Sequence, residues 1–452
     1  MNNQSKNKTQ TISQAFRDIL PVIEEWIRFI SYYHDIPGVS MAIQQYDKLL
    51  SAKAFGKSNL NTGEKLSTDH LFRIASHSKL FTATAIMELY AQEKLSLDDK
   101  IIKYLPWIKL KNSNIRIHHL LTHSSGITRD SDFGQWYHYT FPDREELKEI
   151  TSDDIEVLEP SEQIKYSNVA YSLLGLIIEQ LTGESYEKYM LDLIKRLGLQ
   201  FTFPNLGDRA EQHAVGHDIR LPGEPRDIFD HIEAKAMDSA TGFSSVPSDL
   251  LKFYRAQMLN QEKSLKYDNY FKREMQNLQF EYKTTKWGYG FIHYSFNDTL
   301  FLGHSGGYPG FITLSGFNPD KELSIALFTN TGKPPIAEMF TGIVSFLQFA
   351  ENRYSTFNDD KKHDLSKYEG FYRFRDIMLV KQFHNQLIVI PVITFTPTIF
   401  YQRLQMIESD TFIIREASPT SFKGEKVYFR LGDQGKEFSI AGIIYKEYSY
   451  NY

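Results

Sequence analysis

The chain has 452 residues, 41% of them hydrophobic and 24% charged, with a formal net charge of −5. That length exceeds what one core usually holds and points to two domains, while the mildly acidic balance gives no reason to expect a nucleic-acid partner. Cysteine is absent, which excludes disulfides, thiolate nucleophiles, cysteine–zinc sites and lipid anchoring through cysteine.

Residues 1–14 open as MNNQSKNKTQ and read as a polar, flexible tail with no apolar stretch of the kind a secretory signal needs. A soluble cytoplasmic protein is therefore expected. From about Ser13 a helix begins, with Phe16, Ile19, Leu20, Ile23, Trp26, Ile27 and Ile30 on one face. Residues 38–59 read as two strands around Tyr46-Asp47-Lys48. SHSKLFTATAIMELYAQEKL (76–95) reads as a helix with Ser76 at its N-terminal end. Further helices are expected over 168–182 and 184–196, the first ending at Thr182-Gly183. The most apolar run, VAYSLLGLII (169–178), is too short to span a bilayer. Strands are expected near 287–295, 300–304 and 311–329, then a helix over 334–350.

Composition shifts at ENRYSTFNDDKKHD, and residues 351–364 read as a linker. Residues 365–452 hold short β-rich runs separated by turn residues, the content of a small antiparallel barrel or sandwich.

Two serines compete for a catalytic role. Gly303-His304-Ser305-Gly306-Gly307 fits G-x-S-x-G, the elbow that holds a nucleophile between a strand and a helix. After Ser305, however, the chain runs GGYPGFITLSGF, a turn and a strand, and the histidines downstream, His363 and His384, fall in the linker and the β-rich tail. Ser76 fits better. A hydroxyl at a helix head meets free N–H groups and the positive dipole end. Lys79 lies one turn along, where its amine reaches the serine oxygen. Its apolar neighbours Leu80 and Phe81 lower its pKa by desolvation. Spacing alone is a weak signal, since Ser5 and Lys8 match it too and a serine at this place is often only an N-cap.

Two more segments add weight. Tyr166-Ser167-Asn168 precedes a helix and projects a phenol and an amide to one side. The phenol can relay or take a proton if nearby positive charge lowers its pKa, and the amide can hold a substrate carbonyl. This pattern also recurs by chance at Tyr267-Asp268-Asn269. In HSGG (304–307) the glycines admit a substrate at a strand edge, with His304 and Ser305 facing the cleft.

The order Ser-x-x-Lys, Tyr-x-Asn, His-Ser-Gly resembles the serine β-lactamase and penicillin-binding protein superfamily, in its class C β-lactamase, esterase and D-aminopeptidase branch. EKLSLDDKIIKYLP, IRIHHLLTHSSGI, SATGFSSVPSDLLKF and the stretch 303–330 also look like family segments in family order, so the resemblance covers about 17–350. It implies an α+β domain over 15–350, an antiparallel sheet covered by helices plus an all-helical region. It implies Ser76 as the acylated nucleophile, Lys79 and Tyr166 as proton-transfer groups, and Asn168, His304, Ser305 and Gly306 as substrate-binding residues. The N–H groups of Ser76 and Gly307 would form the oxyanion hole. The tail resembles the lipocalin-like barrel appended to some relatives, expected to cover the cleft or to join subunits into a homo-oligomer.

Many relatives that act on carboxylate-bearing β-lactams have lysine where this chain has His304. A partly charged imidazole grips a carboxylate less firmly. His119 and His123 have helical spacing for a metal, but no glutamate or third ligand accompanies them, and they read as core histidines. The reading is a serine hydrolase without metal or cofactor, taking an ester or an amide or short-peptide substrate. The rival is a fold of this type that binds without turnover, and a covalent serine probe separates the two.

Overall fold

The computed structural model describes the chain apart from residues 1–2, 113, 131, 153, 260–264, 358–362, 419–421 and 434, and describes residues 3–11 by their backbone alone. The chain forms two compact units, one of Pro37–Pro334 and one that joins Met1–Ile36 to Pro335–Tyr452.

In the first unit the strands are β1 (Gly38–Gln45), β2 (Lys48–Gly56), the two-residue β3 (Phe72–Arg73), β4 (Gly216–His217), β5 (Ile228–Phe229) and β6 (Ser244–Ser245), then β7 (Phe280–Tyr282), β8 (Thr285–Trp287), β9 (Ile292–Phe296), β10 (Thr299–Tyr308), β11 (Phe311–Asn318) and β12 (Leu323–Thr329). Eight of them make one antiparallel sheet in the order β2-β1-β12-β11-β10-β9-β8-β7. β1 and β12 are buried along their whole length. Their near-continuous apolar runs are what a strand covered on both faces requires. β10 and β11 form a hairpin closed by Pro309-Gly310, where Gly310 has φ +75° and packs against Gly216.

A helix over Asn3–Tyr33 (α1) belongs to the other unit. In the sheet unit, α2 (Ser78–Ala91) is buried on every side from Ser78 to Leu89 and has no polar stripe, which makes it the central helix of the core. Its far end is tied by an ion pair. Glu88 is wholly buried and takes two bonds of 2.8 Å from the Arg196 guanidinium. The helix Asn168–Thr182 starts from Ser167, whose Oγ accepts the Ala170 N–H at 2.8 Å, and is followed by Tyr186–Arg196.

In the second unit α1 packs on the helix Ile336–Arg353, and a closed eight-stranded antiparallel barrel follows over 370–448 with each strand beside the next. Its interior is filled by Tyr368, Tyr372, Phe412, Phe429 and Phe438. The tail is therefore a barrel and not a sandwich.

Two expectations need correction. The α1 helix starts at Asn3, so the stretch read as a flexible tail over 1–14 is helical in its described part. The expected linker is helical through Arg353 and forms a 3-10 turn over Tyr354–Phe357, while residues 358–362 lie outside the described residues. The compact units part after Ile36 and after Pro334, because both helices pack with the barrel unit. Among the described residues no helix is long and apolar enough to cross a membrane.

Removing one member of a buried ion pair strands the other charge. Arg196→Ala is expected to cost about 3–5 kcal/mol of unfolding free energy in urea titrations.

Candidate active site

Ser76 lies in a 3-10 turn, Ala75–His77, that leads directly into α2. It is not part of the α-helix itself. The turn enters through Ala75 at φ +46°, a left-handed conformation that a non-glycine residue keeps only when its surroundings enforce it. Those surroundings are visible. Ser78 Oγ donates to Ala75 O at 2.6 Å and accepts the Phe243 N–H at 3.0 Å. The buried His77 ring binds Ile74 O through Nδ1 at 2.9 Å and Ser315 Oγ through Nε2 at 2.7 Å. Burial pulls its pKa down to about 4. A neutral ring with Nδ1–H donating to a carbonyl and Nε2 accepting from a hydroxyl fits both contacts. His77 thus clamps the turn to β11.

Lys79 is 0% exposed. Its Nζ lies 3.2 Å from Ser76 Oγ, 2.8 Å from Asn168 Oδ1 and 2.8 Å from Ala240 O. Desolvation holds its pKa well below the ordinary 10.5, against a smaller opposing pull from Asp130. A neutral amine has two N–H groups and one lone pair. Asn168 Oδ1 and Ala240 O can only accept, so they take both N–H groups. In that uncharged form the lone pair faces Ser76, 3.2 Å away, and can accept its O–H.

The Tyr166 hydroxyl donates to Ser76 Oγ at 2.7 Å. Burial pushes this phenol above its ordinary range, outweighing the nearby Arg129 cation. The condition set for Tyr166 to take a proton, a pKa lowered by nearby positive charge, is not met, since an apolar enclosure penalises the phenolate more than one exposed guanidinium supports it. Tyr166 is a neutral donor here. The His123 ring stacks against it at 4.3 Å between centroids, and Arg129 lies over the ring at 5.1 Å. His123 Nδ1 accepts the Ser167 N–H at 3.0 Å. That bond and the stacking tie the segment carrying Tyr166 to the core.

Asn168 opens its helix and is 3% exposed. Beyond the Lys79 contact, its Nδ2 donates to Asp130 Oδ1 at 2.8 Å. Ser76, Lys79, Tyr166 and Asn168 are thus brought into one hydrogen-bonded group.

His304 and Ser305 differ. Neighbouring strand residues point to opposite faces. His304 on β10 is 1% exposed, with its ring 6.4 Å from that of Tyr166 and 5.9 Å from that of His77. Its Nδ1–H donates to Ser305 O at 2.6 Å. Burial holds its pKa well below 6.5, with the nearby His77 and Lys79 adding to the shift, so it is neutral and not partly charged. Ser305 is exposed and bonded to Tyr294. Ser305 is succeeded by a turn and by β11, not by a helix, so it is no elbow nucleophile.

Gly306 explains how β10 meets the turn. A Cβ there would lie 2.2 Å from Ile74 O and 2.4 Å from Thr313 Oγ1, so only glycine permits this approach. The two-residue loop makes Tyr308 and Phe311 the closing hydrogen-bonded pair, so the next pair, Gly307 and Ile312, turns the Gly307 N–H away from β11. β9 pairs with β10 only as far as Gly303, which leaves that side open. The Ser76 N–H precedes the first bonded amide of its turn, His77 N–H to Ile74 O at 3.1 Å, and has no acceptor inside it. Both N–H groups are free of their own elements.

Sequence reasoning missed Asp130, Arg129, His77 and the Ala240 carbonyl. His77 falls at an unspecified position of Ser-x-x-Lys and the others in no spaced motif, while His123 was legible only as a core histidine.

The lysine carries a testable cost. Its folded pKa lies below its unfolded value of 10.5, so the unfolded state holds more protons between those two values, and stability rises with pH there. Lys79→Met removes this term. The unfolding free energy of wild type minus variant should rise from neutral to alkaline pH by up to about 1.4 kcal/mol per unit. A flat difference would contradict a neutral Lys79.

Comparison with known proteins bears on the family and the fold. The β-lactamase family model matches residues 24–344. Protein flp of Staphylococcus aureus (strain N315) is 27% identical over 343 residues, covering 71% of this chain and 65% of that protein. The chain thus spans about two thirds of the length of this relative. The octameric penicillin-binding protein homologue from Pyrococcus abyssi aligns with a TM-score of 0.65 at 22% identity, covering 95% of this chain and 100% of that one. D-amino acid amidase from Ochrobactrum anthropi SV3, complexed with D-phenylalanine, aligns with a TM-score of 0.61 at 23% identity, covering 74% and 99%. With the family model matching most of its length, the chain belongs to the β-lactamase family.

Proposed function

We propose that this chain is a serine hydrolase that cleaves amide or ester carbonyls through an acyl-enzyme on Ser76. One observation carries the reading. Ser76 Oγ sits between the Lys79 amine at 3.2 Å and the Tyr166 hydroxyl at 2.7 Å, with both Lys79 N–H groups committed elsewhere.

The proposed steps follow from that reading. Ser76 gives its proton to Lys79 as Oγ bonds to the substrate carbonyl carbon. The oxyanion is received by the N–H groups of Ser76 and Gly307. The Tyr166 phenol, a neutral donor, passes a proton to the departing nitrogen or oxygen and is reprotonated by the Lys79 ammonium. Water then attacks the acyl carbon, gives its proton to Lys79, and Ser76 leaves with a proton restored. The second Nδ2–H of Asn168 is available to a substrate carbonyl.

The buried, neutral His304 supplies no fixed cation for a substrate carboxylate. This favours esters and amides over carboxylate-bearing β-lactams. Within that class we favour D-amino-acid amides, in line with the amidase that shares the fold. Self-association is proposed from the octameric homologue alone.

A fluorophosphonate probe should add covalently to wild type and not to Ser76→Ala, as read by intact mass. The same variant should lose at least ~10³-fold in hydrolysis of D-amino-acid amides or short nitrophenyl esters. Nitrocefin should turn over more slowly than either. No adduct on wild type would sink the reading in favour of a binding module without turnover.

A further inference from the structure

We propose that Asp130 is the positioning residue that sets the orientation of the Asn168 amide and through it aims the Lys79 lone pair at Ser76. The inference rests on the hydrolase reading and adds to it a residue outside the three motifs.

An amide by itself is ambiguous. Oxygen and nitrogen of an asparagine are nearly alike in shape, so the partners decide which way it faces. Asn168 has two neighbours of opposite demand. The Asp130 carboxylate can only accept, and it takes the Nδ2–H at 2.8 Å. Oδ1 must then face Lys79, where it lies 2.8 Å from Nζ. The flipped amide would set its oxygen against a carboxylate and its N–H against the amine. Asp130 therefore makes one orientation far better than the other.

The consequence reaches the nucleophile. With Oδ1 toward Lys79, one amine N–H is committed to Asn168 and the other to Ala240 O, so the lone pair points at Ser76. A flipped amide would offer its own N–H to that lone pair and divert it. Asp130 thus acts on the reacting atoms through Asn168 and Lys79 without touching them.

Asp130 is itself held firmly. Gln135 Nε2 donates to Oδ1 and Arg129 Nε to Oδ2, each at 3.2 Å. Its side chain is 15% exposed. The loop that carries it is clipped to the head of the Asn168 helix: Ser167 Oγ donates to Thr128 O at 2.7 Å and Asn168 N–H to Arg129 O at 2.7 Å. Asn168, Gln135 and Arg129 all meet the carboxylate as donors, which is the environment of a fixed acceptor.

The test is a mutant cycle read on Ser76 acylation by a fluorophosphonate and on nitrophenyl ester hydrolysis. Asp130→Ala is expected to slow acylation ~10- to 100-fold, with KM for the neutral ester changed no more than Asn168→Ala changes it. Because Asp130 acts through Asn168, the double variant Asp130→Ala, Asn168→Ala should be no slower than Asn168→Ala alone. Asp130→Leu, close in size and without any acceptor, carries the same expectations if the alanine variant does not fold by circular dichroism. Acylation within two-fold of wild type, or losses that multiply in the double variant, would overturn the proposal. Absence of any Ser76 adduct on wild type would instead overturn the hydrolase reading, and this inference with it.

Discussion

A buried primary amine whose hydrogen-bond partners, among the described residues, include no carboxylate governs this site. Lys79 is enclosed by the core around α2, and desolvation favours its uncharged form. In that form it has two hydrogens and one lone pair, and two pure acceptors consume the hydrogens. The direction of the lone pair is then a matter of counting. A charged lysine would satisfy all three neighbours equally well but could accept nothing. The chemistry proposed for Ser76 depends on burial more than on any single contact.

The scaffold makes that burial and aim hold. The turn that presents Ser76 is entered through a left-handed alanine and kept there by Ser78, His77 and Phe243. β10 reaches the turn because residue 306 has no side chain. Its loop length, by fixing the phase of hydrogen bonding, turns the Gly307 N–H outward. Backbone conformation and pairing register thus supply donors that no side chain provides.

The electrostatics are graded from inside to outside. His77, His123 and His304 are all buried and held below their ordinary pKa, so the interior around Ser76 is polar yet uncharged. Charges begin at Asp130 and Arg129, whose side chains are 15% and 62% exposed. That gradient keeps Lys79 neutral while leaving a carboxylate near enough to fix Asn168. A lysine in place of His304 would place a cation beside Lys79 and change that balance.

Ser-x-x-Lys, Tyr-x-Asn and His-Ser-Gly were legible as letters because each is a local spacing, and local spacing survives in one dimension. The α+β domain was implied by the family resemblance those letters carry, and the β-rich tail was legible from its short β-rich runs between turn residues. The extent of α1 and the helical end of the expected linker were not, because polar stretches carry no such pattern. Nor could spacing reveal Asp130, which reaches Asn168 across 38 residues of sequence, or the Ala240 carbonyl, which has no side-chain identity at all. The charge state of His304 was misjudged for the same reason: a pKa depends on what surrounds a group on every side. The sequence by itself determined which chemical groups are present and roughly where helices and strands run. Only the tertiary structure decided which of those groups are dry, which way an amide faces, and hence where a proton can go.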